Sequence, residues 1–264
     1  MEYKILEQQI HLLSQIIAKF NRTYVPQEAD DSHTNLSFDP ISNKIYGRWV
    51  VQENQKLNLA LNLDAFQFEL INNALVPLHS FKIQGKRIES IEQEIAAYLP
   101  EVGFSREGFT DKLHYEIPVY DFAEDKFEKW DSVFIKEWQE NRAMANEACC
   151  LLLTHLQIEG ETRIWPHHFD TGIYIEAHDN LGLGFGWAIE DGMVGDSYFY
   201  FTAYGLNGIE IDYSNVPKLN FGQWIINENW KGAVLSLNTI KDHPTSVNLF
   251  LKEVTSAALD LSVR

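Results

Sequence analysis

The spacing of apolar residues near the N-terminus predicts an amphipathic helix over residues 2–20. The apolar side chains there follow one another at steps of three and four, which places them on one face of a helix: Leu6, Ile10, Leu13, Ile17 and Phe20. The same spacing predicts three further helices, over 90–99, 122–157 and 245–262.

The longest predicted helix has a start signal of its own. Asp121 is suited to the N-cap, and acidic residues in the first turns complement the helix dipole. Phe127 and Trp130 begin an apolar stripe that we expect to be buried. Asn141 leaves a break in this helix open as an alternative.

Alternation of apolar and polar residues predicts strands between the helices. The clearest run is 57–63, where leucine occupies every second position, as expected of a strand. The predicted strands span 44–52, 56–64, 66–71, 78–84, 161–169, 173–178, 182–188, 197–205 and 232–237. Because consecutive strands are joined by short connections, hairpins are favoured over βαβ crossovers. We therefore expect an α+β fold with antiparallel sheets flanked by helices.

The order of the elements indicates two halves of similar outline. Each half is predicted to run helix, strands, helix, although no residue-level repeat relates the two. We expect one globular unit over 1–264, with two similar halves, 1–118 and 119–264, as the alternative division. A chain of 264 residues is long enough to bury a large core.

The amino-acid composition and the net charge limit the kinds of molecule that the protein is expected to bind. The 38 acidic residues exceed the 21 Lys and Arg and give a formal charge of −17, so a phosphate backbone is repelled and nucleic acid is not expected as a partner. Cys149 and Cys150 are adjacent in a predicted helix, where a disulfide between them is strained. No apolar run approaches the roughly 20 residues that span a bilayer. We expect a cytoplasmic protein with no membrane partner.

The stretch 161–178 is predicted to be a β-hairpin, and it contains three of the nine histidines. Asp170–Thr171–Gly172 has the composition of a three-residue turn, with Gly172 in the left-handed region. This register places these polar side chains on one face: His168, Tyr174, Glu176 and His178. The opposite, core-facing side then carries Trp165, His167, Phe169, Ile173 and Ile175. A two-residue turn would instead place His167 with Glu176 and His178.

Part of the polar face is a candidate metal site. His168, Glu176 and His178 offer imidazole and carboxylate ligands, which suit Zn²⁺ and other divalent ions. A metal-dependent hydrolase centred on 161–178 is therefore one hypothesis. The spacing matches no known metal signature, and structural or solvent-facing roles are the competing explanation.

Asp170–Thr171–Gly172 also resembles the Asp-Thr-Gly loop of aspartic proteases, in which two aspartates share a proton and activate water. Ile173 follows where those enzymes have a small residue, and no second such tripeptide occurs in the chain. A protease would therefore have to be a dimer. A turn-forming role for Asp170 explains the tripeptide without catalysis.

Glycine occupies every other position at Gly182, Gly184 and Gly186. In a strand this leaves one face bare, either for close packing or for a flat ligand. The aromatic segment that follows is interpreted either as core or as the wall of a ligand pocket. The wall would consist of Trp187, Tyr198 and Tyr200.

Three segments together resemble an uncharacterised bacterial family, a domain of unknown function with a Trp-x-x-x-Phe-Asp motif. They are the opening helix at 11–19, Trp165–Asp170, and the block from Gly184 to Tyr200. Ala188–Ile189 stands where Pro-Gly is common in that family. The resemblance implies that the whole chain folds and that its setting is the bacterial cytosol, and it implies no activity.

No reaction-specific motif is complete in this sequence, because the Walker, Gly-x-Ser-x-Gly and His-Glu-x-x-His patterns are all absent. We therefore expect a small-molecule-binding or interaction protein without catalysis, and a divalent metal is the one cofactor considered. The candidate ligand-binding residues are His168, Tyr174, Glu176, His178, Trp187, Tyr198 and Tyr200.

Overall fold

A computed structural model describes residues 2–52, 55–240 and 242–261. The helices in this part of the chain are α1 (Tyr3–Tyr24), α2 (Ile88–Tyr98), α3 (Ser132–Leu156) and α4 (His243–Leu261). The strands are β1 (Ser37–Asp39), β2 (Lys44–Tyr46), β3 (Val50–Gln52), β4 (Gln55–Asn62), β5 (Gln67–Asn72), β6 (Pro77–Lys82), β7 (Arg163–Trp165), β8 (Asp170–His178), β9 (Leu181–Ala188), β10 (Tyr198–Gly205), β11 (Gln223–Ile226) and β12 (Lys231–Ser236).

The chain divides into two compact units, each with an antiparallel sheet and helices against it. Unit 1 consists of Met1–Ala143 and Ile164–Phe169, and unit 2 of Met144–Arg163 and Asp170–Arg264. The predicted α+β class is confirmed. No helix in the described ranges is both long and apolar enough to cross a membrane.

The sheet of unit 1 has the strand order β1-β2-β4-β5-β6, and β3 also pairs with β4. Helix α1 contacts β4, and α2 contacts β6. The alternating leucines of β4 are buried, and so are Asn58 and Ala60 between them. Asn58 is tolerated there because its amide bonds both backbone groups of Gly47, at 3.1 and 2.8 Å.

The apolar stripe predicted for the first helix is confirmed. All five of its members, Leu6, Ile10, Leu13, Ile17 and Phe20, are fully buried. Burial extends beyond this stripe to polar residues of α1, among them His11, Ser14 and Asn21. Helix α1 is therefore covered on more than one face, and its polar side chains must find partners inside unit 1.

The predicted helix 122–157 is corrected at its start, because α3 begins at Ser132. Phe127 and Trp130 are buried, as expected, but from a non-helical segment. The Phe127 N–H donates to the Lys86 carbonyl at 2.9 Å. Tertiary partners thus satisfy this backbone without a helix, although the side-chain spacing is helical. Helix α3 continues through Asn141 without a break.

In unit 2, strands β8 to β12 have the order β11-β12-β10-β9-β8, and their pairs are antiparallel. Helix α4 contacts β10 and β12. The alternate residues Leu183, Phe185 and Trp187 of β9 are fully buried in the core. The short strands β1 and β11 had not been predicted.

The predicted turn at Asp170–Thr171–Gly172 is wrong. The chain turns at Pro166–Phe169, and the tripeptide begins β8, where Gly172 pairs with Gly186. Phe169 has φ +58° and donates its N–H to the Trp165 carbonyl at 2.7 Å. Turn propensity favours Asp and Gly, but burial of the Phe169 ring outweighs it here.

Side chains from the neighbouring strands fill the bare face of β9. A Cβ atom on Gly182 would lie 2.7 Å from the Tyr174 hydroxyl. A Cβ atom on Gly186 would lie 2.5 Å from the Thr171 carbonyl and 2.7 Å from the Tyr200 hydroxyl. The glycines therefore serve close packing of tyrosines, which was one of the two interpretations of this strand.

We expect Gly186→Ala to lower the free energy of unfolding by about 1–3 kcal/mol, because the new methyl group is forced against backbone. Gly192→Ala is the matched control, since a Cβ atom there has no neighbour within 4 Å. Urea unfolding of both variants measures the difference. Equal midpoints for the two would contradict close packing at Gly186.

Candidate functional site

The polar residues predicted on one hairpin face lie in different local structures. His168 is exposed in the Pro166–Phe169 turn, whereas Glu176 and His178 are exposed on β8. A register shift in β8 lies between Glu176 and His178. Such an irregularity interrupts the two-residue period on which the predicted metal site depended.

The described residues contain no group of three or more His, Cys, Asp or Glu side chains that could hold a metal ion. The predicted set His168, Glu176 and His178 is therefore not supported as a metal site. The Asp-Thr-Gly tripeptide lies in a strand, and the carboxylate of Asp170 accepts a hydrogen bond from the Tyr200 hydroxyl. Asp170 thus joins two strands of the sheet and does not form the turn.

The predicted aromatic pocket wall is divided by the sheet. Trp187 pairs with Phe199 and is fully buried on the core side. Tyr198 and Tyr200 flank Phe199 in sequence, so they lie on the opposite face. The Tyr198 hydroxyl donates to Asp191 at 2.6 Å. Tyr174, on the same face as Tyr200, is half-exposed. These three tyrosines cannot share a pocket wall with Trp187.

The Trp165–Asp170 motif contains the turn at Pro166–Phe169. The buried imidazole of His11 links this turn to α1. His11 is 1% exposed, and its Nε2 lies 2.9 Å from the Pro166 carbonyl. Because a carbonyl only accepts, Nε2 carries the proton, and Nδ1 accepts from the Tyr120 hydroxyl at 2.7 Å. The ring stacks on Phe169 with centroids 4.8 Å apart. Burial lowers the pKa of His11 to about 4.

A buried guanidinium group also holds this turn in place. Arg142 is fully buried and donates to the Phe169 carbonyl at 2.7 Å. Its guanidinium carbon lies 4.4 Å from the Phe169 ring centroid and 4.9 Å from that of Trp138, within the range of cation–π attraction. Phe169 is buried as predicted. The predicted buried imidazole is not His167, which is half-buried, but His11.

A cleft of about 500 Å³ opens in unit 2 beside the end of β10. Strands β10 and β12 pair as far as Phe201 and Ala233. Beyond that point the Ala203 N–H donates to the Tyr213 hydroxyl at 3.0 Å, and the same hydroxyl donates to the Ala203 carbonyl at 2.8 Å. One side chain therefore takes the place of a strand, and the end of β10 becomes the floor of the cleft.

The turn between β11 and β12 forms one wall of the cleft. The side-chain oxygen of Asn227 accepts from the N–H groups of Asn229 and Trp230, at 2.9 and 2.8 Å. This arrangement fixes the chain at the position where Trp230 and Lys231 line the cleft.

A second turn forms the other wall. Asn207 and Gly208 have φ values of +50° and +81°, the left-handed pair of a tight hairpin-type turn. The Ile209 N–H donates to the Leu206 carbonyl at 3.0 Å and closes this turn. Ile209 and Glu210 then line the cleft.

Thr202 also lines the cleft, but its hydroxyl oxygen lies on the β9 side of β10, 2.7 Å from the position of a Cβ atom on Gly184. Thr202 is 3% exposed, and its hydroxyl has no hydrogen-bond partner among the described residues. Tyr204 beside it is half-exposed, and the charged lining residues are Glu210, Glu228 and Lys231.

None of these lining residues is among the site residues predicted from the sequence. The one local signal is the turn chemistry of Asn207–Gly208 and Asn227 at the ends of strands. Nothing local indicates that Tyr204 and Trp230 line the same cleft, because that follows from the pairing of β10 with β12.

No family model, curated protein or solved structure matches this chain. The resemblance to a bacterial family of unknown function therefore stays a prediction.

The pKa of His11 predicts a pH dependence of stability. Its pKa is about 4 in the folded protein, against an ordinary value of 6.5. Between these values the unfolded chain binds a proton that the folded chain does not, so stability falls as the pH is lowered from 6.5 to 4. The loss from this group is about 3 kcal/mol in total.

Chemical unfolding of His11→Gln across this pH range tests the expectation. The variant should show a smaller fall in the free energy of unfolding than the natural protein does. His178→Gln is the control, since it also removes one imidazole from the unfolded chain but an exposed one from the folded protein. A pH profile for His11→Gln as steep as that of His178→Gln would refute the assignment.

Tyr200→Phe is expected to lower the free energy of unfolding by about 1.5–3 kcal/mol, since it removes a hydrogen bond to a charged group. Burial and the neighbouring Asp170 hold the pKa of Tyr200 well above its usual range, so its hydroxyl stays a donor. Tyr204→Phe, at a ring that is 47% exposed, is the control and should change stability by less than about 0.5 kcal/mol. Thermal unfolding compares the two, and a larger loss in Tyr204→Phe would be inconsistent with this role of Tyr200.

Proposed function

We propose that this chain is a non-catalytic protein that binds a small molecule in the cleft of unit 2. The observation that carries the proposal is a cleft lined by the accessible aromatic side chains Tyr204 and Trp230, with polar and charged groups on the turns beside them. Ligand sites combine apolar and aromatic walls with a few placed polar groups. The volume, about 500 Å³, lies within the usual range of such sites.

Two clefts of unit 1 are weaker candidates although their volumes, about 440 and 540 Å³, are similar. Among the described residues that line them, Tyr98 in the smaller cleft is the one aromatic side chain. The cleft of unit 2 offers Tyr204, Tyr213 and Trp230. Aromatic rings supply much contact area at low entropic cost, which favours the cleft of unit 2.

We also propose a cytoplasmic location and no nucleic-acid partner. Both Cys149 and Cys150 are free thiols, which supports a reducing compartment. The formal charge of −17 supports the exclusion of nucleic acid, because such a surface repels phosphate.

Ligand-observed NMR with a set of small-molecule fragments tests the proposed site. We expect fragments that bind the natural protein to lose most of their affinity in Trp230→Ala. Trp49→Ala is the matched control, because Trp49 is also surface-accessible but belongs to unit 1, and it should bind the same fragments unchanged. Binding that survives Trp230→Ala, or an absence of binding fragments, would reject the cleft as the site.

A further inference from the structure

The lining of the cleft in unit 2 also indicates the charge of its ligand. We infer, on the basis of the proposed binding function, that the cleft takes an organic ammonium ion. Two features of the lining support this assignment: accessible aromatic rings and an excess of carboxylates.

Aromatic rings are the first feature. Tyr204 is 47% exposed, and Trp230 on the facing turn is partly exposed. Both rings lie against glycines of the sheet: a Cβ atom on Gly184 would be 3.3 Å from the Tyr204 ring, and one on Gly232 would be 2.6 Å from the Trp230 ring. Both rings stay accessible in the cleft, and aromatic rings attract cations, Trp most strongly.

Charge is the second feature. Glu210 comes from one wall and Glu228 from the other, against the single ammonium group of Lys231. All three side chains are exposed, so none of them is committed to the core. The lining therefore carries a net negative charge, and the protein as a whole carries −17. Both favour a cation over an anion of the same shape.

Choline and its uncharged isostere, in which carbon replaces nitrogen, are the probes for this inference. The two have the same shape, so their difference in affinity reports the charge. We expect choline to bind more tightly by a factor on the order of ten, as one desolvated cation–π contact and nearby carboxylates provide. NMR titration at fixed ionic strength measures both dissociation constants.

Charge variants locate the effect. The double variant Glu210→Gln, Glu228→Gln should weaken choline binding several-fold and leave the affinity for the isostere unchanged. Lys231→Gln should strengthen choline binding, because it removes the one competing cation. Glu176→Gln changes an exposed carboxylate on β8, outside the lining, and is the control that should alter neither affinity.

The outcomes separate this inference from the proposed function. If the isostere binds as tightly as choline, or if the double variant binds choline unchanged, the ammonium assignment is wrong while the cleft remains a binding site. If neither choline nor its isostere binds, while other fragments bind and lose affinity in Trp230→Ala, the ammonium assignment is also overturned. If no fragment binds, both conclusions fall.

Discussion

The cleft of unit 2 depends on the requirement that buried backbone donors and acceptors be paired. Strand β10 continues to Gly205, but its pairing with β12 ends at Phe201. The Tyr213 hydroxyl satisfies both backbone groups of Ala203, so neither group of this residue is orphaned where the strands separate. At the end of β10 this one side chain provides the hydrogen bonds that a neighbouring strand provides elsewhere in the sheet.

Aromatic rings pack closely over glycines in the same sheet. Tyr174, Tyr204 and Trp230 each lie against a glycine of a strand, where any larger residue would displace them. The Asp170–Tyr200 hydrogen bond adds a cross-strand tie on the same face. In unit 1 a different device, the stacking of His11 and Arg142 on Phe169, fixes the turn. The alternating glycines and the Trp165–Asp170 motif, which stand out in the sequence, therefore have structural roles. The residues that line the candidate site form no recognisable sequence motif.

The predictions from sequence succeeded where a local pattern and burial agree. The stripe of α1 and the alternating core residues Leu183, Phe185 and Trp187 are buried as expected. The predictions failed where a long-range contact outweighs the conformational preference of the local sequence. Phe127 lies at helical spacing but is buried from a non-helical segment, and Phe169 takes the left-handed conformation that was assigned to Gly172. Because the turn lies at Pro166–Phe169 and not at Asp170–Gly172, the hairpin register on which the metal hypothesis depended is not formed.

The sequence by itself determined the α+β class, the antiparallel connections and most of the helical and strand cores, because hydrophobic periodicity reports which face of an element is buried. Only the tertiary structure decided that Tyr213 bonds the backbone of Ala203 beyond the last β10–β12 pair and that Thr202, Tyr204 and Trp230 line one cleft. These residues are distant in the chain, and their proximity follows from strand order and register. Periodicity carries no information about either, since it describes each element separately.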